Sequence, residues 1–306
     1  MKMFLFKSQH VGCCLTIIAG CVFACTTTTN AATCCVWRVT NAPAPCYLVG
    51  TIHALSGNDY RLPAGYYQAL RDSKRFVFET NPNLDSDFEK KFAKASAYPK
   101  GDDIRRHVHP KTWQILEVNF KSASLFGREI QIGDYYLEYG IQQLRPWAIA
   151  DIFYGVPGYN DIHDYYGVDN YFTREARHSG KELAGLETAD EHVEVLHGMN
   201  DVESEIILLE TIVFRDKQRD EFNQLRAAWR RGDTATMWAL NQRDRNLNPG
   251  ADVRLLDMRN VKWVPKIRAE FNSGKPTSIV VGAFHMLGPN GLIALLQRNG
   301  YKFEQL

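Results

Sequence analysis

Runs of consecutive apolar residues alternate along the chain with stretches in which apolar residues recur every three or four positions. The short runs, rich in Val, Ile, Leu and aromatic residues, predict buried strands, and the longer stretches predict helices. The predicted strands cover 36–40, 46–50, 75–79, 182–187, 278–282 and 301–305. The predicted helices cover 62–73, 85–97, 111–124, 134–154, 168–179, 189–241, 261–271 and 291–299.

The order of these elements predicts a single α/β domain over 33–306. The first two strands flank a Pro-containing turn and form a hairpin. Strand, helix and strand over 46–79 form a βαβ unit, whose strands run parallel. Because strands cluster near both ends of this region, we expect one central, largely parallel sheet built from both ends. A helical insertion without strands is expected at about 84–165, with a second helical part at 189–245.

The first 32 residues have the pattern of an export signal. They contain Lys2 and Lys7 but no acid, and an apolar run at 11–25 is short for a membrane span. Two processing interpretations stay open, namely cleavage after Ala32 or a lipoprotein box that places a lipid on Cys21. We therefore expect an exported bacterial protein, either periplasmic or an envelope lipoprotein, that meets the membrane only through a lipid at Cys21.

Composition narrows the function classes. The chain has 306 residues, of which 45% are hydrophobic, as in an ordinary globular protein. Without the first 32 residues it carries 34 basic and 35 acidic residues, which argues against a nucleic-acid partner. All seven cysteines lie within the first 46 residues. A disulfide from Cys34 or Cys35 to Cys46 and free thiols are both open at this point.

The candidate chemistry begins with a motif that occurs twice. Gly50 and His53, and again Gly282 and His285, form Gly-x-x-His after an apolar strand. In an open parallel sheet, the edge beyond the carboxyl ends of the strands is where ligands bind. Both histidines should therefore lie at that edge.

Two acids end strands in the same way, Glu79 after 75–78 and Glu187 after 182–186. Two imidazoles and a carboxylate with an open position form a catalytic metal arrangement, so His53, His285 and Glu79 are the candidate metal ligands. Glu79 and Glu187 are candidate catalytic carboxylates, with Glu187 as the base. The alternatives are structural roles, in which Glu79 caps the following segment and Glu187 is a favourable negative charge at the N-terminus of the next helix.

Arg259 and Asn260 precede the helix predicted at 261–271, and both are candidate catalytic residues that would stabilise developing negative charge. An ion pair with Asp257 is the alternative for Arg259. His192 and His197 lie five residues apart and do not share a helix face, so neither supports a zinc-protease helix motif.

In this order and spacing the residues resemble the TraB/GumN family. The matching segments are 47–53, 76–79, 145–147, 167–169, 185–188, 259–260 and 281–285. This family is related to the animal Tiki metalloproteases and, more distantly, to erythromycin esterase and the haem-binding ChaN fold. The resemblance places His53, Glu79 and His285 at the proposed metalloprotease site, and Arg259 and Asn260 at the family's Arg-Asn pair. Gly167-Val168-Asp169 departs slightly from the usual Gly-Leu-Asp.

Together these observations predict a metal-dependent hydrolase of the cell envelope that acts on a peptide or another envelope substrate. The cofactor would be a divalent ion such as Mn, Co, Fe or Zn. The alternative is a non-catalytic envelope protein that uses the same edge of the sheet to bind haem or a glycan.

Overall fold

The structure is a computed structural model that describes residues 33–83, 87–121, 130–132, 135–137, 140–153 and 162–306. The predicted export signal at 1–32 lies outside the described residues. Among the residues that are described, no helix has the length and apolar character needed to cross a membrane.

A six-stranded sheet forms the centre of the molecule, in the order β10-β1-β2-β9-β4-β8. The strands are β1 Val36–Val39, β2 Cys46–Thr51, β3 Leu55–Ser56, β4 Arg75–Thr80, β5 Ile130–Ile132, β6 Tyr135–Leu137, β7 Ile162–His163, β8 Glu182–Glu187, β9 Thr277–Gly282 and β10 Phe303–Gln305. The four strands β2, β9, β4 and β8 run parallel, whereas β1 pairs antiparallel with β2 and β10. The expected α/β fold, with a largely parallel sheet built from both ends of 33–306, is confirmed.

Helices cover the sheet and extend beyond it. They are α1 Ala64–Asp72, α2 Asp87–Ser96, α3 Pro110–Lys121, α4 Pro146–Phe153, α5 Val168–His178, α6 Ala189–His197, α7 Asp201–Val213, α8 Arg215–Arg230, α9 Thr234–Leu247, α10 Pro249–Asp252, α11 Met258–Asn272 and α12 Leu292–Arg298. Every residue of β2 and β9 is buried, as expected for parallel strands with helices on both faces. Aromatic residues of α1, α5, α8 and α11 complete the core around these strands.

The segment predicted as one helix at 134–154 has a different structure. Strand β6 lies near its beginning and pairs with β5, and the only α-helix among its described residues is α4. A third strand in this region, β7, pairs with β3, so the expectation of no strand within 84–165 was wrong. The run at 130–137 is too short for its Ile and Tyr residues to distinguish a strand from a helix by periodicity.

Two smaller expectations also changed. Arg259 and Asn260 lie inside the first turn of α11, which begins three residues earlier than predicted. Cys34, Cys35 and Cys46 are buried free thiols, so the open alternative of a disulfide among them is not realised.

Candidate functional site

The carboxyl ends of the four parallel strands meet at one edge of the sheet. Thr51 of β2 pairs with Gly282 of β9, and Thr80 of β4 pairs with Glu187 of β8. The backbone N–H of Gly282 donates to Glu79 Oε1 over 2.8 Å. Strand register therefore brings together the predicted residues at the carboxyl ends of these strands.

His53 lies just beyond β2 and is fixed by Asp169 from the first turn of α5. His53 Nδ1 is 2.9 Å from Asp169 Oδ2, and Asp169 Oδ1 accepts a hydrogen bond from the Thr51 hydroxyl over 3.0 Å. The N–H of Val168 donates to the carbonyl of Ile52, which docks α5 against the end of β2. The side chain of His53 is 65% exposed. Its Nε2 is therefore the ring atom left for a ligand.

His285 lies in the turn after β9 and is fixed by Asn260. Its Nδ1 is 2.7 Å from Asn260 Oδ1, while Asn260 Nδ2 donates to the carbonyls of His285 and Asn290. Because Asn260 Oδ1 can only accept, Nδ1 of His285 carries the proton and Nε2 has the lone pair. Asn260 thus positions the second motif histidine.

Arg259 lies between the two strand-end carboxylates. Its Nη2 donates to Glu79 Oε2 over 2.6 Å and to Glu187 Oε1 over 2.5 Å, and its Nε donates to Glu187 Oε2 over 3.1 Å. The remaining nitrogen, Nη1, is 3.3 Å from the carbonyl of Leu255 and 3.4 Å from His285 Nε2. All three guanidinium nitrogens are engaged, so this arginine holds both carboxylates in place.

The two motif histidines have opposite electrostatic surroundings. The negative charge of Asp169 raises the pKa of His53 to about 9. Burial, with Arg259 nearby, lowers the pKa of His285 to about 4. His285 is therefore neutral at pH 7, whereas His53 is protonated there.

The carboxylates at the site are held ionised. Burial alone would raise the pKa of Glu79, but Arg259, the two imidazoles and the Gly282 N–H outweigh it and lower that pKa. Burial also opposes ionisation of Glu187, and hydrogen bonds from His192 and Arg259 lower its pKa. Both groups are therefore acceptors at neutral pH.

Because Gly282 has no side chain, it leaves open the space between Glu79, His53 and His285. A Cβ at this position would lie 3.3 Å from both Glu79 Oε1 and His53 Nε2, and 3.6 Å from His285 Cδ2. A side chain at this position would therefore crowd Glu79 and His53, and the glycine leaves room for their close approach. The equivalent Cβ at Gly50 would meet backbone instead, since Cys35 O lies 3.2 Å away.

The site opens into a cleft of about 480 Å³. Eight of the ten residues that line it have polar side chains, and the ten are His53, Phe78, Glu79, Thr80, Pro82, Asp169, Asn170, Thr173, His192 and Arg259. A second cleft of about 410 Å³ lies against α6 and α11 and shares Arg259 with the first. The first cleft has the mixture of titratable groups typical of a reactive site.

The protein-family model for TraB/PrgY/gumN matches residues 35–305. The chain belongs to the TraB/PrgY/gumN family. Searches of curated proteins and of solved structures gave no match. The match covers every element of the sheet and each residue of the site described above.

Two residues at this TraB/PrgY/gumN site were missed by sequence reasoning. The sequence pattern gives Asp169 only as part of a family motif and assigns no role to His192, yet both line the cleft. His192 Nδ1 is 2.7 Å from Glu187 Oε1. The sequence did contain a signal for His192, the capping box of Thr188 and Glu191. It starts α6 directly after β8 and so places His192 one turn beyond Glu187.

The donor types at the site fit a divalent transition metal. Two imidazoles, whose Nδ1 atoms are fixed by the Asp169 carboxylate and the Asn260 amide oxygen, lie beside the carboxylate of Glu79. This is a common ligand set with its supporting hydrogen bonds. The spacing is wider than in a formed site, because Glu79 Oε1 is 3.9 Å from His53 Nε2 and 3.7 Å from His285 Nε2. Ligands at about 2.1 Å from a tetrahedral ion lie about 3.4 Å apart. As placed, no three His, Cys, Asp or Glu side chains in the described part of the chain have metal-ligand spacing.

Proposed function

We propose that this TraB/PrgY/gumN protein is a metal-dependent hydrolase of the cell envelope and that peptides are its substrates. One observation carries the proposal. Two histidines from separate strand ends, each fixed through Nδ1, approach the same oxygen of Glu79. His53 and Glu79 line an open cleft, and His285 is buried behind them. Such pre-organised side chains are better suited to binding a ligand or a transition state than to a purely structural role.

His53, His285 and Glu79 would hold the metal ion. When bound, a divalent ion supplies Lewis acidity toward water and toward the scissile carbonyl group. Asp169 and Asn260 set which ring nitrogen each histidine presents, and Arg259 keeps Glu79 ionised and correctly turned. Because its nitrogens already bind Glu79, Glu187 and Leu255 O, Arg259 is better suited to positioning than to direct stabilisation of an oxyanion.

The envelope location is supported by the sequence alone. The basic start, the apolar run and the Cys21 and Ala32 processing patterns favour export. A peptidase acting there would meet its substrates outside the cytoplasm.

The proposal is tested first by elemental analysis of the purified protein after metal loading and desalting. The wild-type protein is expected to retain about one Mn, Co, Fe or Zn ion, as a three-ligand site with an open position does. The double variant His53→Ala/His285→Ala should lose it. The matched control is His178→Ala/His197→Ala, which removes two exposed histidines away from the cleft and should keep the metal.

Circular dichroism must show that both double variants are folded. If the folded wild-type protein retains no divalent ion, the metal-dependent hydrolase is wrong, and titration with haem and envelope glycans then tests the binding-protein alternative. If both double variants retain the ion equally, the assigned ligands are wrong.

A further inference from the structure

His192 lies one turn into α6 and faces the cleft. Glu187 ends β8, Thr188 caps α6, and the reciprocal hydrogen bonds between Thr188 and Glu191 fix the start of the helix. This geometry turns His192 back over Glu187, whose Oε1 lies 2.7 Å from His192 Nδ1. The side chain is 28% exposed and lines the same cleft as His53 and Glu79.

Glu187 is poorly placed to act as a base itself. Its Oε1 contacts His192 Nδ1 and Arg259 Nη2, and its Oε2 accepts from Arg259 Nε and from Trp263 Nε1 over 3.3 Å. These contacts account for both oxygens, and the side chain is only 5% exposed. A carboxylate that has its lone pairs engaged and does not line the cleft cannot readily take a proton from a bound water.

His192 is better placed than Glu187 to exchange a proton with a bound substrate. Its Nδ1 lies 2.7 Å from Glu187 Oε1 and 3.5 Å from Arg259 Nη2. The shorter contact, to the carboxylate, favours the tautomer with a proton on Nδ1 and a lone pair on Nε2. Within the described residues, Nε2 has no hydrogen-bond partner, and the ring of Phe88 packs 6.0 Å from the imidazole. A carboxylate that orients a histidine with one free nitrogen is the arrangement of a general acid–base group.

We propose that His192 is the proton-transfer residue of the cleft and that Glu187 is its positioning residue. The inference rests on the proposed hydrolase function. In peptide hydrolysis, His192 Nε2 accepts a proton from the water molecule whose oxygen bonds to the carbonyl carbon. It returns this proton to the amine nitrogen as the carbon–nitrogen bond breaks. The products are one carboxylic acid and one amine, and the histidine is regenerated.

The test compares His192→Ala with His197→Ala, a control on the exposed side of the same helix, in the full-length metal-loaded protein. The probe is a pool of internally quenched decapeptides. We expect kcat of His192→Ala to fall by about 10²-fold or more with little change in KM. Added imidazole should restore part of kcat in His192→Ala and should not raise it in the wild-type protein or in His197→Ala.

The metal content of His192→Ala should equal that of the wild-type protein, which separates proton transfer from metal binding. If His192→Ala cleaves the pool as fast as wild type, or if imidazole restores nothing, the inference is overturned while the hydrolase function stands. If the wild-type protein cleaves no peptide, the proposed function fails and this inference fails with it.

Discussion

At the scale of single residues, the site combines two histidines from one repeated motif with different protonation at neutral pH. Asp169 favours the charged form of His53, whereas burial favours the neutral form of His285. The pair is therefore one donor and one acceptor in the metal-free protein, although the motif is the same. The neighbours of the motif, rather than the motif, determine what each histidine does.

We predict that Asp169→Asn lowers the pKa of His53 from about 9 toward the ordinary value near 6.5, because the charge that favours the imidazolium is removed. An amide oxygen can still accept from Thr51, so the fold should be kept. The measurement is an NMR titration of His53 in metal-free protein, with His178 as the internal control.

The same substitution should also change the stability of the protein in a pH-dependent way. Because the folded pKa of His53 lies above its unfolded value, the pair with Asp169 stabilises the protein below pH 6.5. That contribution is lost as the pH rises through about 9. Asp169→Asn should therefore lower Tm more at pH 6 than at pH 10, and an equal loss at both pH values would contradict the charge-based account.

At the scale of elements, helix starts complete the site that the strands begin. The first turn of α5 contributes Asp169, α6 contributes His192, and the first turn of α11 contributes Arg259 and Asn260. Each of these helices packs against the edge where β2, β8 or β9 ends. The strand residues set the positions of the charges, and the helix residues set their orientation.

Gly167 shows how tightly α5 is docked. A Cβ at this position would lie 2.0 Å from the carbonyl oxygen of His53. We predict that Gly167→Ala forces α5 away from the end of β2 and costs about 1–3 kcal/mol of unfolding free energy, as overpacking does. Urea denaturation measures it, and Ser179→Ala at the exposed end of α5 is the control. Equal denaturation midpoints for the two variants would show that α5 can accommodate a Cβ at position 167 without losing stability.

The strand-borne part of the site could be predicted from the sequence. Glu79, Glu187 and the two motif histidines follow apolar runs, and parallel strands bring their carboxyl ends together, so local pattern sufficed. The contacts of Asp169 and His192 could not be predicted in the same way. They depend on how α5 and α6 pack against the sheet, and hydrophobic periodicity identifies a helix without giving its docking angle.

At the scale of the whole molecule, the sheet joins distant parts of the chain. β9 lies between β2 and β4 and forms parallel ladders with both, although more than 190 residues separate it from β4 in sequence. Removal of β9 would leave the strands of the βαβ unit without their shared neighbour. The centre of the molecule therefore depends on residues 277–282 more than on the edge strand β10.

We predict that truncation after residue 276 abolishes cooperative folding, because the buried backbone of β2 and β4 loses its hydrogen-bond partners. Truncation after residue 302 removes β10 and Leu306 and should leave a cooperative transition at lower stability. Thermal unfolding followed by circular dichroism distinguishes them. A cooperative transition in the shorter chain would mean that β2 and β4 pair without β9.

The position of β9 also imposes an order in time. A growing polypeptide can complete the hairpin and the helical insertion before residue 282 exists, but Glu79 has no Gly282 N–H to orient it until then. His285 is made later still. A chain that ends before residue 285 therefore lacks part of the site. The hydrolytic activity proposed above would begin only when nearly all of the domain has been made.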